Sequence, residues 1–386
     1  MSYDFSESEE LKMLRQSVRD FAEKEIAPQA HELEDSETFS EALTQKMCEL
    51  GLFGVVVDPE YGGQGMDYLS YIVAVEEIAR IDGSQASTIA AHNSLGAAPI
   101  YYYGTEEQKR KYLPDLCGGG KLWAFGLTEP EAGSDAQSSK TTAVYDESSE
   151  EWVINGSKIW ITNSASSLTS GITVQAVTGK KENGRSELSC LIVPADAKGL
   201  TRNKMTGKMM WRASNTGELY FDDVRVPKDA LLGKQGEGFK IMMETLDNGR
   251  LSIAAMGLGL AKGALDLTLK YANERKTFGK PIAKHQAVSF KLAEMATRIE
   301  AAENLLYKAC WQRQNKQPFE KLAAMAKLYC SEVAEYCARE GQQTFGGYGL
   351  MKEYPIERHY RDAALLRIGE GTSEIQRLVI SRHIGC

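Results

Sequence analysis

Several things are scarce in this sequence, and each scarcity excludes a class of function. None of the seven cysteines forms a C-x-x-C pair: Cys48, Cys117, Cys190, Cys310, Cys330, Cys337 and Cys386 are scattered, odd in number, and follow no export signal. That pattern fits reduced thiols, several of them buried, rather than a disulfide framework. The five histidines show no H-E-x-x-H or other ligand spacing, so no metal site is expected. Positive charge is in deficit: 45 Lys and Arg stand against 53 Asp and Glu, a net −8, which argues against a nucleic-acid surface. The start, MSYDFSESEE, is acidic and polar, unlike a signal or Arg-rich transit peptide. It points to a bacterial cytoplasm, with a trimmed organellar protein as the alternative. A membrane-spanning run is also missing. The least polar stretch, Leu251 to Leu269, is broken by Lys262 and Asp266 and is rich in Gly and Ala, as in a close-packed buried helix. There is no internal repeat and no low-complexity segment.

What is present is an ordinary globular composition, 42% hydrophobic and 25% charged over 386 residues. That length allows roughly two or three domains and a large core. Residues 1 to about 120 read as helical. Ser6 and Glu9 fit a capping box ahead of Leu11, Leu14, Val18, Phe21 and Ala22. Further helices are expected near Glu41–Leu50 with Gly51 as a stop, at Tyr68–Arg80, at Ser84–Ala97, and from Thr105, where Thr105 and Gln108 repeat the capping pattern. Asp58 to Gly65 reads as a loop.

From Leu122 to about Val226 the apolar period falls to two. Asn155-Gly156 predicts a type I′ turn within Trp152–Thr162, with strands at 171–177, 188–193 and 219–226 ended in two cases by Pro194 and Pro227. A small antiparallel sandwich or barrel follows, over about 121–230. Residues 231–386 turn helical again, with long segments at about 238–273, 284–314, 318–343 and 372–384, as in a four-helix bundle. The fold class is α+β and multidomain: helices, then sheet, then helices.

Three stretches carry chemistry. Arg367 to Arg382 opens with Gly369-Glu370-Gly371 and continues as a helix, with Ser373 and Gln376 placed as a capping box. Glu370 is then a carboxylate on a Gly-flanked loop at a helix N-terminus, its pKa raised by any burial and lowered by the helix end. On spacing alone a solvated acid is the commoner reading. Ala124 to Ala136, AFGLTEPEAGSDA, leaves a strand for a loop of small residues and hydroxyls that suits a flat polar ring edge and a phosphate, or is a plain surface loop. Arg275 in NERKTFG offers a planar guanidinium suited to a pyrophosphate, or is a solvated helix-terminal Arg. Gly346-Gly347 also reads as a plain turn. The glycines of GLGLAKG (Gly257, Gly259, Gly263) follow no strand and have the wrong spacing for a dinucleotide loop; close helix packing explains them better.

Together these strings resemble the acyl-CoA dehydrogenase family across nearly the whole chain. The resemblance implies FAD as cofactor and Glu370 as the base that takes the α-proton of an acyl-CoA thioester. Phe125 to Ser134, Gly133 included, would line the isoalloxazine, with Leu127 and Thr128 at its pyrimidine side and Ser134 also on CoA. Trp160-Ile161-Thr162 would lie along the ring, the Thr162 hydroxyl near N5. Arg275, Phe278, Gln286, Gln343, Phe345, Gly346 and Gly347 would hold the pyrophosphate and adenine end from a neighbouring subunit of a homotetramer, a dimer of dimers. Thr372 and Glu374 join the cofactor set; Asp247, Arg250 and Gly371 join Ser134 in the substrate set. The thioester oxygen would accept from the Glu370 N–H and a ribityl hydroxyl. An electron-transferring flavoprotein is the implied acceptor.

Several positions narrow the choice. The isovaleryl-type branch keeps its base where this chain has Gly249, so only the Glu370 position is filled. Many members have Tyr where this chain has Gly369, which reshapes the acyl pocket. Ser84 to Ser94 lacks the Arg that glutaryl-type members use, which disfavours a dicarboxyl substrate. The expectation is a short or branched acyl-CoA, oxidised to the trans-2-enoyl-CoA. The alternatives are an oxygen-using oxidase on the same scaffold or a non-catalytic binder of acyl-CoA or flavin.

Overall fold

Seven helices come first in the computed structural model, which describes residues 7–386. They are α1 (Glu9–Phe21), α2 (Ala27–Asp35), α3 (Glu41–Glu49), α4 (Tyr68–Ala79), α5 (Gly83–Ala91), α6 (Ala98–Tyr103) and α7 (Glu106–Cys117). Their starts follow side-chain capping. Ser40, Asp67, Asp82 and Thr105 each accept the backbone N–H three residues on, and Thr105 and Gln108 form both bonds of the capping box. The cap of α1 is Ser8, which accepts from Leu11, rather than Ser6, which lies outside the described residues.

The sheet follows: β1 (Leu122–Gly126), β2 (Thr142–Asp146), β3 (Glu151–Thr162), β4 (Thr169–Lys180), β5 (Ser186–Pro194), β6 (Leu200–Lys204), β7 (Thr216–Pro227) and β8 (Leu231–Leu232). They form one open sheet ordered β6-β7-β3-β2-β4-β5-β8, with β1 branching off β4 in parallel. The expected Asn155-Gly156 turn is absent. Both residues lie inside the continuous strand β3, and the chain reverses at Asp146–Glu151 instead. Gly156, at φ 143°, marks a register shift, and a Cβ there would stand 2.6 Å from Thr141 Oγ1. The same freedom that suits glycine to a turn here lets a strand bulge past its neighbour.

Five helices close the chain: α8 (Gly238–Glu274), α9 (Gln286–Gln314), α10 (Glu320–Phe345), α11 (Ile356–Leu366) and α12 (Ser373–Ile384). The sequence pattern predicts four and passes over α11. Between α8 and α9 lies a small hairpin, β9 (Lys276–Thr277) and β10 (Lys280–Pro281). Helix α8 is the axis. It is long and apolar enough to cross a membrane, yet 78% of its most apolar stretch is buried within the fold. A Cβ on Gly257, Gly259 or Gly263 would meet the carbonyls of Cys330, Glu76 and Arg80 at 2.9, 2.2 and 2.1 Å. Those glycines therefore bring α8 backbone-close to α10 and α4. One core runs unbroken from the first helices into the last through α4 and α8, and a second covers the sheet. A third lies between them and joins Phe125 and Leu127 to Ile241 and Met242 of α8, with Leu95 packed against it.

Candidate active site

Glu370 sits on the turn between α11 and α12. Its φ of 53° and the 92° of Gly371 form a left-handed pair that reverses the chain in few residues. Thr372 then caps α12, accepting the Ile375 N–H at 3.2 Å. The cap is thus Thr372 and not Ser373. Gln376, expected to complete a capping box, instead donates to the carbonyls of Gly371 at 2.9 Å and Glu370 at 3.4 Å. The helix begins where the extended backbone of Thr372 allows a side-chain cap, and that frees Gln376 to brace the loop.

Part of Glu370 reaches the surface, but its Oε2 is sealed from solvent and has no hydrogen-bond partner among the described residues. A Cβ at Gly249 would stand 2.1 Å from that oxygen and 3.1 Å from Leu95 Cδ2. Leu95 in turn packs on the cluster that includes Phe125 and Leu127. Burial pushes the Glu370 pKa up to about 7, against the pull of Lys327 and Arg250. The opposing charge comes from these two cations. Arg250 is itself buried and paired with Asp247 one turn back on α8. Among the described residues, no backbone acceptor takes the Glu370 N–H.

The sheet supplies a second surface. Ile159 N–H donates to the Thr128 carbonyl at 3.0 Å, which lays the loop after β1 alongside Trp160. The β3–β7 ladder shifts register between Lys158 and Ile161, and on that bulge Trp160 takes φ 61° and leaves its ring 60% exposed. A left-handed tryptophan costs strain, and an exposed one forgoes burial, so the ring is placed for a partner. Ile161 is buried and Thr162 ends the strand. Gly133 and Ser134 are exposed, and nothing stands within 4 Å of a Cβ at Gly133.

Two residues that hold this loop escaped the sequence reading. Lys158 is fully buried; its Nζ donates to the Leu127 carbonyl at 3.1 Å, Glu129 Oε1 at 2.7 Å and Ser139 Oγ at 3.2 Å. Glu129 also accepts the N–H groups of Lys140 at 2.6 Å and Thr141 at 3.1 Å. The available signal was Lys158 itself, a cation at an inward position of the alternating pattern begun by Trp152 and Ile154.

The third surface is bare. Arg275, Phe345, Gly346 and Gly347 meet in an open cleft of about 480 Å³, floored by Tyr271 stacked 4.1 Å from Phe345. Gly346 and Gly347 leave more than 4 Å of free space where a Cβ would be. Arg275 has no carboxylate partner among the described residues. Phe278, 96% exposed, Gln286 and Gln343 lie on the surface outside the cleft, as does Glu374 on α12. The cofactor fits these features: an exposed aromatic beside a loop of small residues for a flat ring, and an unpaired guanidinium beside side-chain-free glycines for phosphates.

Family profiles cover the chain in three blocks: Acyl-CoA dehydrogenase, N-terminal domain over residues 8–120, middle domain over 124–224 and C-terminal domain over 236–385. The chain belongs to the acyl-CoA dehydrogenase family. It is 50% identical to the probable acyl-CoA dehydrogenase YngJ of Bacillus subtilis, with 99% of both chains covered. Among solved structures it is similar to the butyryl-CoA dehydrogenase of Megasphaera elsdenii, at TM-score 0.95 and 42% identity over 99% of this chain and 100% of that one. It is equally similar, at TM-score 0.95, to a chain in the structure of the electron transferring flavoprotein of Acidaminococcus fermentans, at 44% identity over 99% and 100%. The protein is an acyl-CoA dehydrogenase, an oxidoreductase with FAD as cofactor.

Proposed function

We propose that this acyl-CoA dehydrogenase oxidises a short or branched acyl-CoA to the trans-2-enoyl-CoA, with Glu370 as the base. The observation that carries the reading is the sealed, unpartnered Oε2 of Glu370, with burial holding its pKa near neutrality. A base titrating near the working pH is present in its active form yet still binds a proton well. Glu370 takes the α-proton; the Cα–H electron pair becomes the new double bond as the β-hydrogen leaves with its own pair. FAD, when bound, supplies the acceptor for that hydride. The free Glu370 N–H is one donor for the thioester oxygen as it gains charge. Asp247 and Arg250, behind Glu370 on α8, are the contacts proposed for CoA.

The short-chain preference is supported by the likeness to a butyryl-CoA dehydrogenase. The bare cleft of Arg275, Phe345, Gly346 and Gly347 supports a homotetramer in which a neighbouring subunit completes the FAD site. An electron-transferring flavoprotein is the proposed acceptor, in keeping with the Acidaminococcus likeness. Anaerobic titration with acyl-CoAs of graded length and branching tests the substrate: butyryl-sized chains should bleach the flavin fastest. The Glu370→Gln variant should keep FAD and lose bleaching by about 10³-fold. Bleaching at the native rate would remove Glu370 as the base, and rapid peroxide formation without an added acceptor would favour an oxidase.

A further inference from the structure

Lys327, one of the two cations that pull against the raised pKa of Glu370, has unusual surroundings. It lies on α10 among Ala323, Ala324, Ala326 and Cys330, all of them buried, and it is itself fully buried. Taking an ammonium out of water is costly unless partners compensate. Among the described residues no carboxylate lies within ion-pair distance of it. Its Nζ makes one hydrogen bond, at 2.7 Å, to the carbonyl of Gly371. One turn further along α10, Ser331 Oγ donates at 2.9 Å to Leu366, the last residue of α11. From the other side Gln376 reaches the same Gly371 carbonyl. The loop that carries Glu370 is therefore clamped from α10 and α12, and the clamp includes a buried positive charge.

We propose that Lys327 is the positioning residue for the base: it fixes the Glu370 loop through the Gly371 carbonyl and sets a buried cation facing the carboxylate. This rests on Glu370 being the base. The groups facing Glu370 are few: Lys327 from α10, Arg250, paired with Asp247, from α8, and the Tyr71 phenol from α4, while Glu374 faces Lys327 from α12. Both cations favour an ionised Glu370, Lys327 more strongly, and Arg250 is shared with Asp247 whereas Lys327 has no carboxylate within ion-pair distance among the described residues. Glu370 in turn favours the charged lysine, against burial, which lowers its pKa to about 8.

The test is the anaerobic single-turnover bleaching rate of the FAD-loaded enzyme across pH, in Lys327→Arg, Lys327→Gln and Lys327→Met. Arg keeps the charge and should keep the native acid limb. Gln keeps a donor for Gly371 without the charge, and its acid limb should move up by about one pH unit. Met removes both, and should add a fall in the limiting rate of about tenfold to the same shift. FAD absorbance should be native in all three. A native acid limb in Lys327→Gln would overturn the proposal, and that variant decides the matter even if Lys327→Met fails to fold. The Glu370→Gln control separates the two ideas. Native bleaching there defeats the base itself, whereas lost bleaching there with an unmoved limb in Lys327→Gln defeats only the role of Lys327.

Discussion

Two regions of this chain, around Glu370 and around Arg275, are built in opposite ways. Around Glu370 the surroundings are nearly closed: α8, α10 and α12 supply Arg250, Lys327 and Gln376, and the carboxylate Oε2 is cut off from solvent. Around Arg275 the same chain offers an unpaired cation, two bare glycines and Phe278 almost wholly in the open. On the proposed roles, the contrast teaches that proton removal needs a dry enclosure, whereas holding a long cofactor by its tail needs only accessible donors that a neighbour can cover. The Lys158–Glu129 pair is intermediate in kind: closed like the first region, it holds the loop after β1 that is proposed to take the cofactor.

Four changes would break or sharpen that contrast. The largest effect is expected at the intermediate pair. Lys158→Met leaves Glu129 buried and charged without its partner, a loss of about 3–5 kcal/mol. It should appear as poor FAD retention and a lower Tm, while Glu129→Gln with Lys158→Met should recover part of the loss. Next is Gly249→Ala. The new methyl would overlap Glu370 Oε2, the free end of a flexible side chain, so the carboxylate can swing aside at little cost to folding. A displaced base, however, costs about 10²-fold in rate. Near-native Tm with a bleaching rate lowered by that factor is the expected split; an unaffected rate would mean that Oε2 is not where the proton goes.

Arg275→Ala tests the open end. Losing a charge-assisted bond to a phosphate should weaken FAD binding by about 1.5–3 kcal/mol, read as FAD loss on gel filtration. The bleaching rate of protein reloaded with FAD should stay within about twofold of native. The smallest change needs no mutation. With its pKa raised to about 7, Glu370 is protonated and idle below that pH. The bleaching rate should therefore climb about tenfold per unit on the acid side and level off above pH 7. A limb near the ordinary carboxylate range would mean that the site is wet.

Much of this was legible in the residues, and the failures are physical. Capping boxes, apolar periods and strand-ending prolines gave Thr105–Gln108, the α8–α10 segments and the ends of β5 and β7. Asn155-Gly156 misled because glycine's freedom serves a bulge as well as a turn, and only pairing to β7 distinguishes them. The cap of α12 slipped by one residue because Thr372 and Ser373 can both accept; the left-handed Gly371 decides between them. Lys327 was invisible because a lysine on an alanine-rich helix normally extends to water, and only the packing of α10 under the loop shows that it does not. Glu370 itself was found by resemblance; its spacing alone never separated it from a solvated acid.

Phe278 has a further consequence. Its ring stands at the tip of a two-strand ribbon with almost nothing of the same chain against it. In the proposed tetramer a neighbouring subunit would cover it, and a newly synthesised copy would carry that greasy knob uncovered until assembly. Warming or dilution that uncovers it again should end in turbidity rather than in a clear solution of colourless protein, and surplus FAD in the storage buffer should delay that outcome.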